Sequence, residues 1–206
     1  IDSHAFLNCK KLASITLPNT VTYLGDDDPN SIEGSGMFEG CESLTSFTFP
    51  SSYASNNLPG FTFKNCKNLT TINWNGYNPK RLNSCAFWDC DKITWSQVPQ
   101  SVEELGDNCF YDCAALTSVD LSKIKKMDTG VFWGTPLTSV EWPAAVTEIP
   151  ANTFWACGQL TTIKGIPGQP GAWDNITKIG ANAFNMCTAL TTIKLPAELK
   201  TIDAQA

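Results

Sequence analysis

The sequence predicts an α/β fold, specifically a right-handed solenoid of about eight coils. One face is expected to carry a parallel β-sheet, and the other short helical or 3-10 turns and extended segments. A phenylalanine anchor recurs eight times, usually with Cys three residues later, then Leu or Ile, then a strand-like run. Such self-similarity is typical of solenoids. The anchors, at intervals of 32, 25, 24, 23, 22, 22 and 30 residues, are Phe6, Phe38, Phe63, Phe87, Phe110, Phe132, Phe154 and Phe184.

Each repeat opens with a tight turn and continues into a strand. Phe154, Cys157 and Leu160 lie at i, i+3 and i+6, which predicts one inward stripe on a helical or 3-10 turn. From Leu160 to Ile163 the pattern changes to alternation, which predicts a strand with one buried face. Prolines that cannot donate to a sheet end many of these strands, at Pro18, Pro50, Pro99, Pro143 and Pro196.

A second apolar pair leads the chain to the next anchor, so each coil supplies about eight inward positions that form a continuous core only when stacked. The clearest pairs are Val102 with Leu105, Ile124 with Met127, Val146 with Ile149, and Ile176 with Ile179. Polar residues at 51–57 and 75–81 replace this pair in the second and third coils. Thr135 replaces the repeat cysteine in the sixth coil, and Ser96 takes an apolar strand position in the fourth.

The pattern Leu-x-x-Ile-x-Leu-Pro, followed by Val-x-x-Ile-Gly-x-x-Ala-Phe-x-x-Cys, resembles the BspA-like class of leucine-rich repeats over essentially the whole chain. The resemblance implies a bacterial surface or secreted protein, because several members of that family are implicated in adhesion to host proteins. Both ends of the sequence cut through a repeat. We therefore expect residues 1–206 to form a single leucine-rich-repeat domain that is a fragment of a longer protein.

Composition and residue inventory exclude several classes of function. The net charge is −6, with 14 Lys+Arg against 20 Asp+Glu and no basic cluster, so a nucleic-acid partner is not expected. No apolar run approaches the roughly 18 residues of a membrane span. The single histidine, His4, leaves no Ser-His-Asp or Cys-His arrangement, so we expect no enzyme activity and no cofactor.

Seven of the nine cysteines share one position of the repeat, which predicts a column of small buried thiols. The alternative is disulfide bonding between neighbouring coils, although an odd count argues against a complete disulfide framework. Zinc ligand spacing is absent. The column consists of Cys9, Cys41, Cys66, Cys90, Cys113, Cys157 and Cys187, whereas Cys85 and Cys109 lie outside it.

Two insertions interrupt the regular period. Asp26, Asp27 and Asp28, with Glu33 beyond them, could offer oxygen ligands to Ca²⁺, but adjacent aspartates without the alternating calcium-loop pattern favour a solvated turn. Residues 165–175 contain Trp173, which either anchors a partner or folds back on its own coil.

The leading candidate for a ligand site follows the anchors. The residue after the anchor is a large aromatic in four consecutive coils, at Trp88, Tyr111, Trp133 and Trp155. Because the anchor and its cysteine point inward, we expect these rings to form an exposed stripe about 14 Å long, which would suit a glycan or a protein hot spot. The alternative is that the rings merely cover apolar surface on neighbouring coils.

Outward strand positions supply a second set of candidates. They place Trp95 in one column and Asp120, Glu141 and Lys164 in the other. Glu141 and Lys164 should attract each other on neighbouring strands, while Asp120 and Glu141 should repel slightly. These columns could recognise a complementary partner, although polar strand faces are normally just solvated.

Two functions follow. The first is a non-enzymatic binding or adhesion module at an extracellular or cell-surface location, which recognises a glycan or a protein such as a host extracellular protein. The second is a structural spacer, a rigid stalk that presents other domains and has no ligand of its own.

Overall fold

The computed structural model describes residues 1–26, 36–168 and 171–206. It is a parallel β-solenoid of about seven turns, because the eight predicted anchors enclose seven complete turns rather than eight. Every strand pair in the described ranges is parallel, as the sequence predicted. The expected right-handedness of the coil stays a prediction.

The first sheet follows the anchors and is interrupted midway. Its parallel pairs are β1 (Ser46–Thr48) with β3 (Thr71–Asn73), and β7 (Ser139–Trp142) with β9 (Thr162–Gly165). The central residues of these strands are buried and their flanking residues are mostly exposed. The predicted alternation of inward and outward positions is therefore confirmed in these strands.

The second apolar pairs also lie in parallel strands, so parallel pairing occurs on two faces and not on one. A four-stranded ladder joins β2 (Asn57–Leu58), β4 (Arg81–Leu82), β5 (Glu104–Leu105) and β6 (Lys126–Met127). A three-stranded ladder joins β8 (Glu148–Ile149), β10 (Lys178–Ile179) and β11 (Thr201–Ile202).

Proline accounts for the break between these two ladders. After each strand, one backbone N–H donates to the preceding coil, as Asp128 does to Leu105 O (2.9 Å) and Gly180 to Ile149 O (2.8 Å). Pro150 occupies the corresponding position after β8 and has no N–H to donate to Met127. The ladder is therefore lost at this one step.

The predicted helical turns are not confirmed, and the fold is β-solenoid rather than α/β. The single helix in the described part of the chain is a 3-10 turn at Trp95–Gln97. At the anchors the chain instead makes isolated turns, such as Cys66 N–H to Phe63 O (2.9 Å). Left-handed residues two positions before and two after the anchor, such as Phe61 (φ 59°) and Asn65 (φ 60°), interrupt the right-handed backbone that a helix requires.

A third ladder joins the anchor turns themselves. The Phe63 N–H donates to Ala86 O at 3.0 Å, and the Phe87 N–H donates to Cys109 O at 2.9 Å. The left-handed residues on either side donate in the same direction, as Asn65 does to Trp88 O at 2.7 Å. These bonds hold the turns of successive coils in register, which places the residues that follow the anchors directly beside one another.

The predicted core columns are confirmed. The six internal anchors are at most 1% exposed, and successive anchor rings stack with centroids 5.4 to 6.2 Å apart. Phe6 and Phe184, in the outermost coils, are half-buried, as are Leu12 and Leu190 at the ends of the leucine column.

The polar segments of the second and third coils contain core residues that the sequence analysis missed. Tyr53 and Tyr77 are 5% and 3% exposed, and their rings lie 4.7 Å apart. Arg81 is 6% exposed and ion-pairs with Glu104 (3.1 Å) and Asp128 (2.5 Å). A buried charge of this kind is tolerated because its partners compensate its desolvation.

The cysteine column is a set of free thiols that hydrogen-bond across coils. The Sγ atoms of Cys66, Cys90 and Cys113 donate to the carbonyl oxygen of the anchor in the preceding coil, at 3.1, 2.9 and 3.0 Å. All nine cysteines are free, and only Cys9 is exposed. Burial raises the pKa of the Cys157 thiol to about 11. At the variant position, Thr135 Oγ1 donates to Phe132 O, the anchor of its own coil, at 2.7 Å, so this hydrogen bond does not cross coils.

Candidate functional site

The four predicted aromatics form two stacked pairs joined by a tilted contact, called here the aromatic stripe: Trp88, Tyr111, Trp133 and Trp155. Successive ring centroids lie 4.2, 5.0 and 4.1 Å apart, with interplanar angles of 27°, 55° and 14°. All four side chains are half-buried. The prediction that they come together is confirmed, and their exposure lies between the two alternatives that the sequence left open.

The ladder of the anchor turns sets this geometry. Asp89 N–H donates to Tyr111 O at 2.8 Å, Asp112 N–H to Trp133 O at 2.7 Å, and Gly134 N–H to Trp155 O at 2.8 Å. Backbones in register one coil apart place the rings close enough to stack. Because the ring faces lie against one another within each stacked pair, each pair presents mainly ring edges to solvent.

The tryptophans of the stripe differ in their hydrogen bonding from three of the other four tryptophans. The exception is Trp95, whose indole N–H also has no partner among the described residues. Trp74, Trp142 and Trp173 each donate the indole N–H to a backbone carbonyl, at 2.7, 2.8 and 2.6 Å. In the described residues, the indole N–H groups of the stripe have no partner within the protein, and neither does its phenolic hydroxyl. Trp173 is 8% exposed, so it folds back on the solenoid, the second of the alternatives considered for it.

Charged residues continue the stripe at its N-terminal end. The Lys64 ammonium lies 5.3 Å from the Trp88 ring centroid and 5.1 Å from that of Phe61, and it ion-pairs with Glu39 at 3.0 Å. Cation–π contact of this kind favours a cation over an aromatic face. Lys64 and Glu39 directly follow their anchors, as the four aromatics do. Their position in the repeat therefore indicates that they lie next to the stripe.

Asp112 borders the stripe beside Tyr111, which it follows in the sequence. Its carboxylate lies over Gly134, where an added Cβ would come within 2.9 Å of Oδ1. Partial burial raises the pKa of the Asp112 carboxyl, and the nearby carboxylates of Asp89 and Asp91 raise it further. Asp89 is paired with Lys67 at 3.1 Å.

The predicted place of Trp95 on an outward strand column is wrong. The chain forms the 3-10 turn at this point, and the Trp95 ring packs against Phe110 (centroids 5.6 Å apart) and Phe132 (6.5 Å). The side chain of Gln97 substitutes for the missing strand, because its Oε1 accepts the Ile72 N–H at 2.9 Å.

The other predicted strand residues lie apart from the stripe. Glu141 and Lys164 are exposed on β7 and β9 and pair at 3.3 Å, which confirms the expected attraction. Asp120 is exposed outside any strand, and hydrogen bonds from Ser122 lower the pKa of its carboxyl. No ion pair or hydrogen bond found in residues 1–26, 36–168 and 171–206 joins these three residues to the stripe.

The candidate calcium loop falls largely outside the described residues, since Asp27, Asp28 and Glu33 are not among them. Within the described ranges, no group of three or more His, Cys, Asp or Glu side chains is arranged to hold a metal ion. The same ranges contain no helix with the length and apolarity needed to cross a membrane.

The sequence matches the family described as BspA type leucine rich repeat region (6 copies), over residues 1–28, 30–164 and 171–206. The match covers nearly the whole chain, as the sequence resemblance implied. No protein of curated function matches the chain.

Solved structures of bacterial leucine-rich repeat proteins share the fold. One from Bacteroides ovatus is 26% identical, with a TM-score of 0.72, over 97% of this chain and 47% of that protein. A leucine rich cell surface protein from Faecalibacterium prausnitzii is 25% identical, with a TM-score of 0.66, over 98% of this chain and 60% of that one. The T. pallidum leucine rich repeat protein, at 21% identity, TM-score 0.51 and coverage of 92% and 70%, supports the fold alone. The chain thus spans about half the length of the Bacteroides ovatus protein.

Proposed function

Because the chain belongs to the BspA-type leucine-rich repeat family, we propose that it is a non-enzymatic module that binds a protein partner at an extracellular or cell-surface location. Leucine-rich repeat proteins typically bind proteins and are generally not enzymes. One similar structure belongs to a protein named as a cell surface protein, which supports the location. The aromatic stripe is the proposed contact surface.

The observation that carries this proposal is the set of unpaired polar groups on the stripe. Three indole N–H groups and one phenolic hydroxyl lie in register along four coils, and none has a partner among the described residues. Elsewhere the chain pairs the indole N–H of Trp74, Trp142 and Trp173 with its own carbonyls, and only that of Trp95 lacks such a partner among the described residues. Trp and Tyr that offer an apolar body and a free donor are the residues most enriched in binding hot spots.

The stacking favours a protein over a glycan. A sugar ring packs best on an exposed aromatic face, whereas Trp88 and Tyr111, 4.2 Å apart, and Trp133 and Trp155, 4.1 Å apart, cover each other's faces. Exposed edges and N–H donors suit the carbonyl groups and apolar side chains of a polypeptide. The predicted roles of Asp120, Glu141 and Lys164 in binding stay secondary proposals, because these residues lie on a different surface.

The test uses a phage-displayed library of random 12-residue peptides, selected against the wild-type protein. Selected peptides are then measured by biolayer interferometry against the double variant Trp133→Ala/Trp155→Ala. We expect affinity to fall by about 100-fold or more, because two hot-spot aromatics are lost. Circular dichroism checks that the variant is folded, since half-buried rings contribute less to stability than the anchor column.

The matched control is Tyr23→Ala, which removes an aromatic side chain that is 50% exposed in the first coil. Selected peptides should bind this variant like the wild type. Peptides that bind the double variant unchanged would overturn the role of the stripe, and a glycan-array signal that requires the stripe would replace the protein partner by a glycan. Selection of no stripe-dependent peptide would favour the spacer.

A further inference from the structure

We propose that Asp112 makes the aromatic stripe select partner segments that carry a Lys or Arg side chain next to an apolar residue. This inference rests on the proposed protein-binding function and specifies the chemistry of its ligand.

The fold does not require a charge at this position. Asn8 occupies the same place two residues after its anchor, has φ 57°, and packs over Gly40 of the next coil in the way that Asp112, with φ 56°, packs over Gly134. Asn and Asp tolerate this left-handed backbone equally well. The amide at Asn8 therefore performs the structural role, and the carboxylate at Asp112 is an addition to it.

The negative charge beside Tyr111 has no ion-pair partner within the described part of the protein. Lys67 pairs with Asp89 at 3.1 Å and only partly offsets the charge of Asp112. The Asp89 and Asp91 carboxylates also act on Asp112, which raises its pKa. An incoming cation would relieve this repulsion, so this half of the stripe is electrostatically complementary to a basic side chain.

The other half of the stripe has apolar surroundings. The residues that follow Trp133 and Trp155 are Gly134 and Ala156, and the equivalent residue of the next coil, Met186, is 61% exposed. A partner that covers the whole stripe therefore meets an acidic surface at one end and an apolar surface at the other. A basic residue beside an apolar one satisfies both.

Among the residues that directly follow the anchors, Lys64 already shows how a cation is held. Lys64 places its ammonium 5.3 Å from the Trp88 centroid with the Glu39 carboxylate at 3.0 Å. Tyr111 with Asp112 repeats the combination of aromatic ring and carboxylate without an internal cation. Charge-assisted contact beside an aromatic ring favours Lys and especially Arg.

The experiment uses two phage libraries of 12-residue peptides that differ only in a central residue, fixed as Arg in one and Glu in the other. Each library is selected against wild-type protein at low ionic strength. We expect stripe-dependent peptides mainly from the Arg library. Their affinity should fall about two- to fivefold for Asp112→Asn, and this difference should shrink as salt is added. Asp2→Asn makes the same charge change on an exposed residue of the first coil, away from the stripe, and should have no effect.

The outcomes separate the two proposals. Stripe-dependent peptides drawn equally from both libraries, or an unchanged affinity with Asp112→Asn, would overturn the selection of basic segments and leave protein binding intact. If neither library yields a peptide that depends on Trp133 and Trp155, the proposed function fails and this inference fails with it.

Discussion

Raising the pH from 8 to 10 is expected to destabilise this protein through its buried thiols. Cys90 and Cys113 are fully buried, and burial holds the pKa of both thiols well above the ordinary value of 9.0. In the unfolded chain the same thiols ionise near their ordinary pKa. The folded pKa of these thiols is raised above the unfolded pKa. The folded state therefore keeps its full stability below the unfolded pKa of about 9, and loses stability as the pH rises above that value and the unfolded chain ionises.

The size of the effect follows from linkage. A thiol that ionises only in the unfolded chain lowers the free energy of unfolding by about 0.1 kcal/mol at pH 8 and by about 1.4 kcal/mol at pH 10. Replacing both thiols by serine should therefore reduce the loss of stability between these two pH values by about 3 kcal/mol. Serine retains the donor to the Phe63 and Phe87 carbonyls, at present 2.9 and 3.0 Å from the sulfur atoms, but does not ionise in this range.

Equilibrium urea unfolding at pH 8 and pH 10, with a phosphine reductant, measures the difference for the wild type and for Cys90→Ser/Cys113→Ser. The readout is the change with pH, so a constant cost of the substitutions cancels. Iodoacetamide labelling without reductant should accompany it, with modification of the buried thiols only on unfolding. Equal pH dependence in the two proteins would refute the reasoning, because it would mean that the thiols ionise in the folded state or are oxidised.

Two further predictions concern the core and the buried charge. Phe110→Ala should cost about 3–5 kcal/mol in urea unfolding, because the ring is fully buried between the anchors on either side. Phe184→Ala should cost about half as much, because Phe184 is half-buried and stacks on one anchor only. If both substitutions lower the free energy of unfolding equally, the anchor column is not the core. Asp128→Asn should cost about 1–3 kcal/mol and Glu104→Gln less, because the Asp128 side chain is 23% exposed and that of Glu104 is 42% exposed. If both substitutions lower the free energy of unfolding equally, the more buried Asp128 contributes no more to the stability of Arg81 than Glu104 does.

The difference between the predicted and observed turns has an identifiable cause. The spacing of Phe154, Cys157 and Leu160 correctly predicts that all three are buried, but this spacing is compatible with a 3-10 turn and with separate turns alike. Left-handed residues decide between them, and the sequence offered a hint, because Asn, Asp and Gly are frequent at those positions. Five residues at these positions break that pattern and give no such hint: His4, Phe61, Cys85, Ala156 and Met186.

The candidate site was predictable in its alignment but not in its chemistry. Aromatics at the same place in four coils must lie near one another once the coils stack, and the structure places them 4.1 to 5.0 Å apart. Which ring edges remain accessible, and which indole N–H groups lack partners, depends on contacts between coils. The misplacement of Trp95 has the same origin, since Ser96 disrupts the apolar alternation and the chain turns this tryptophan toward Phe110.

By itself, the sequence determined the period, the anchor column, the parallel stacking and the family, because a repeated apolar pattern can be buried only by stacking its copies. Tertiary structure alone decided that Arg81 is buried, that Pro150 interrupts the second sheet, and that Asp112 lies beside the stripe without a cation. Each of these depends on what a neighbouring coil, 20 or more residues away, offers as a hydrogen-bond partner or a charge. A periodic pattern reports which way a side chain faces, and only the packed coils determine what it meets there.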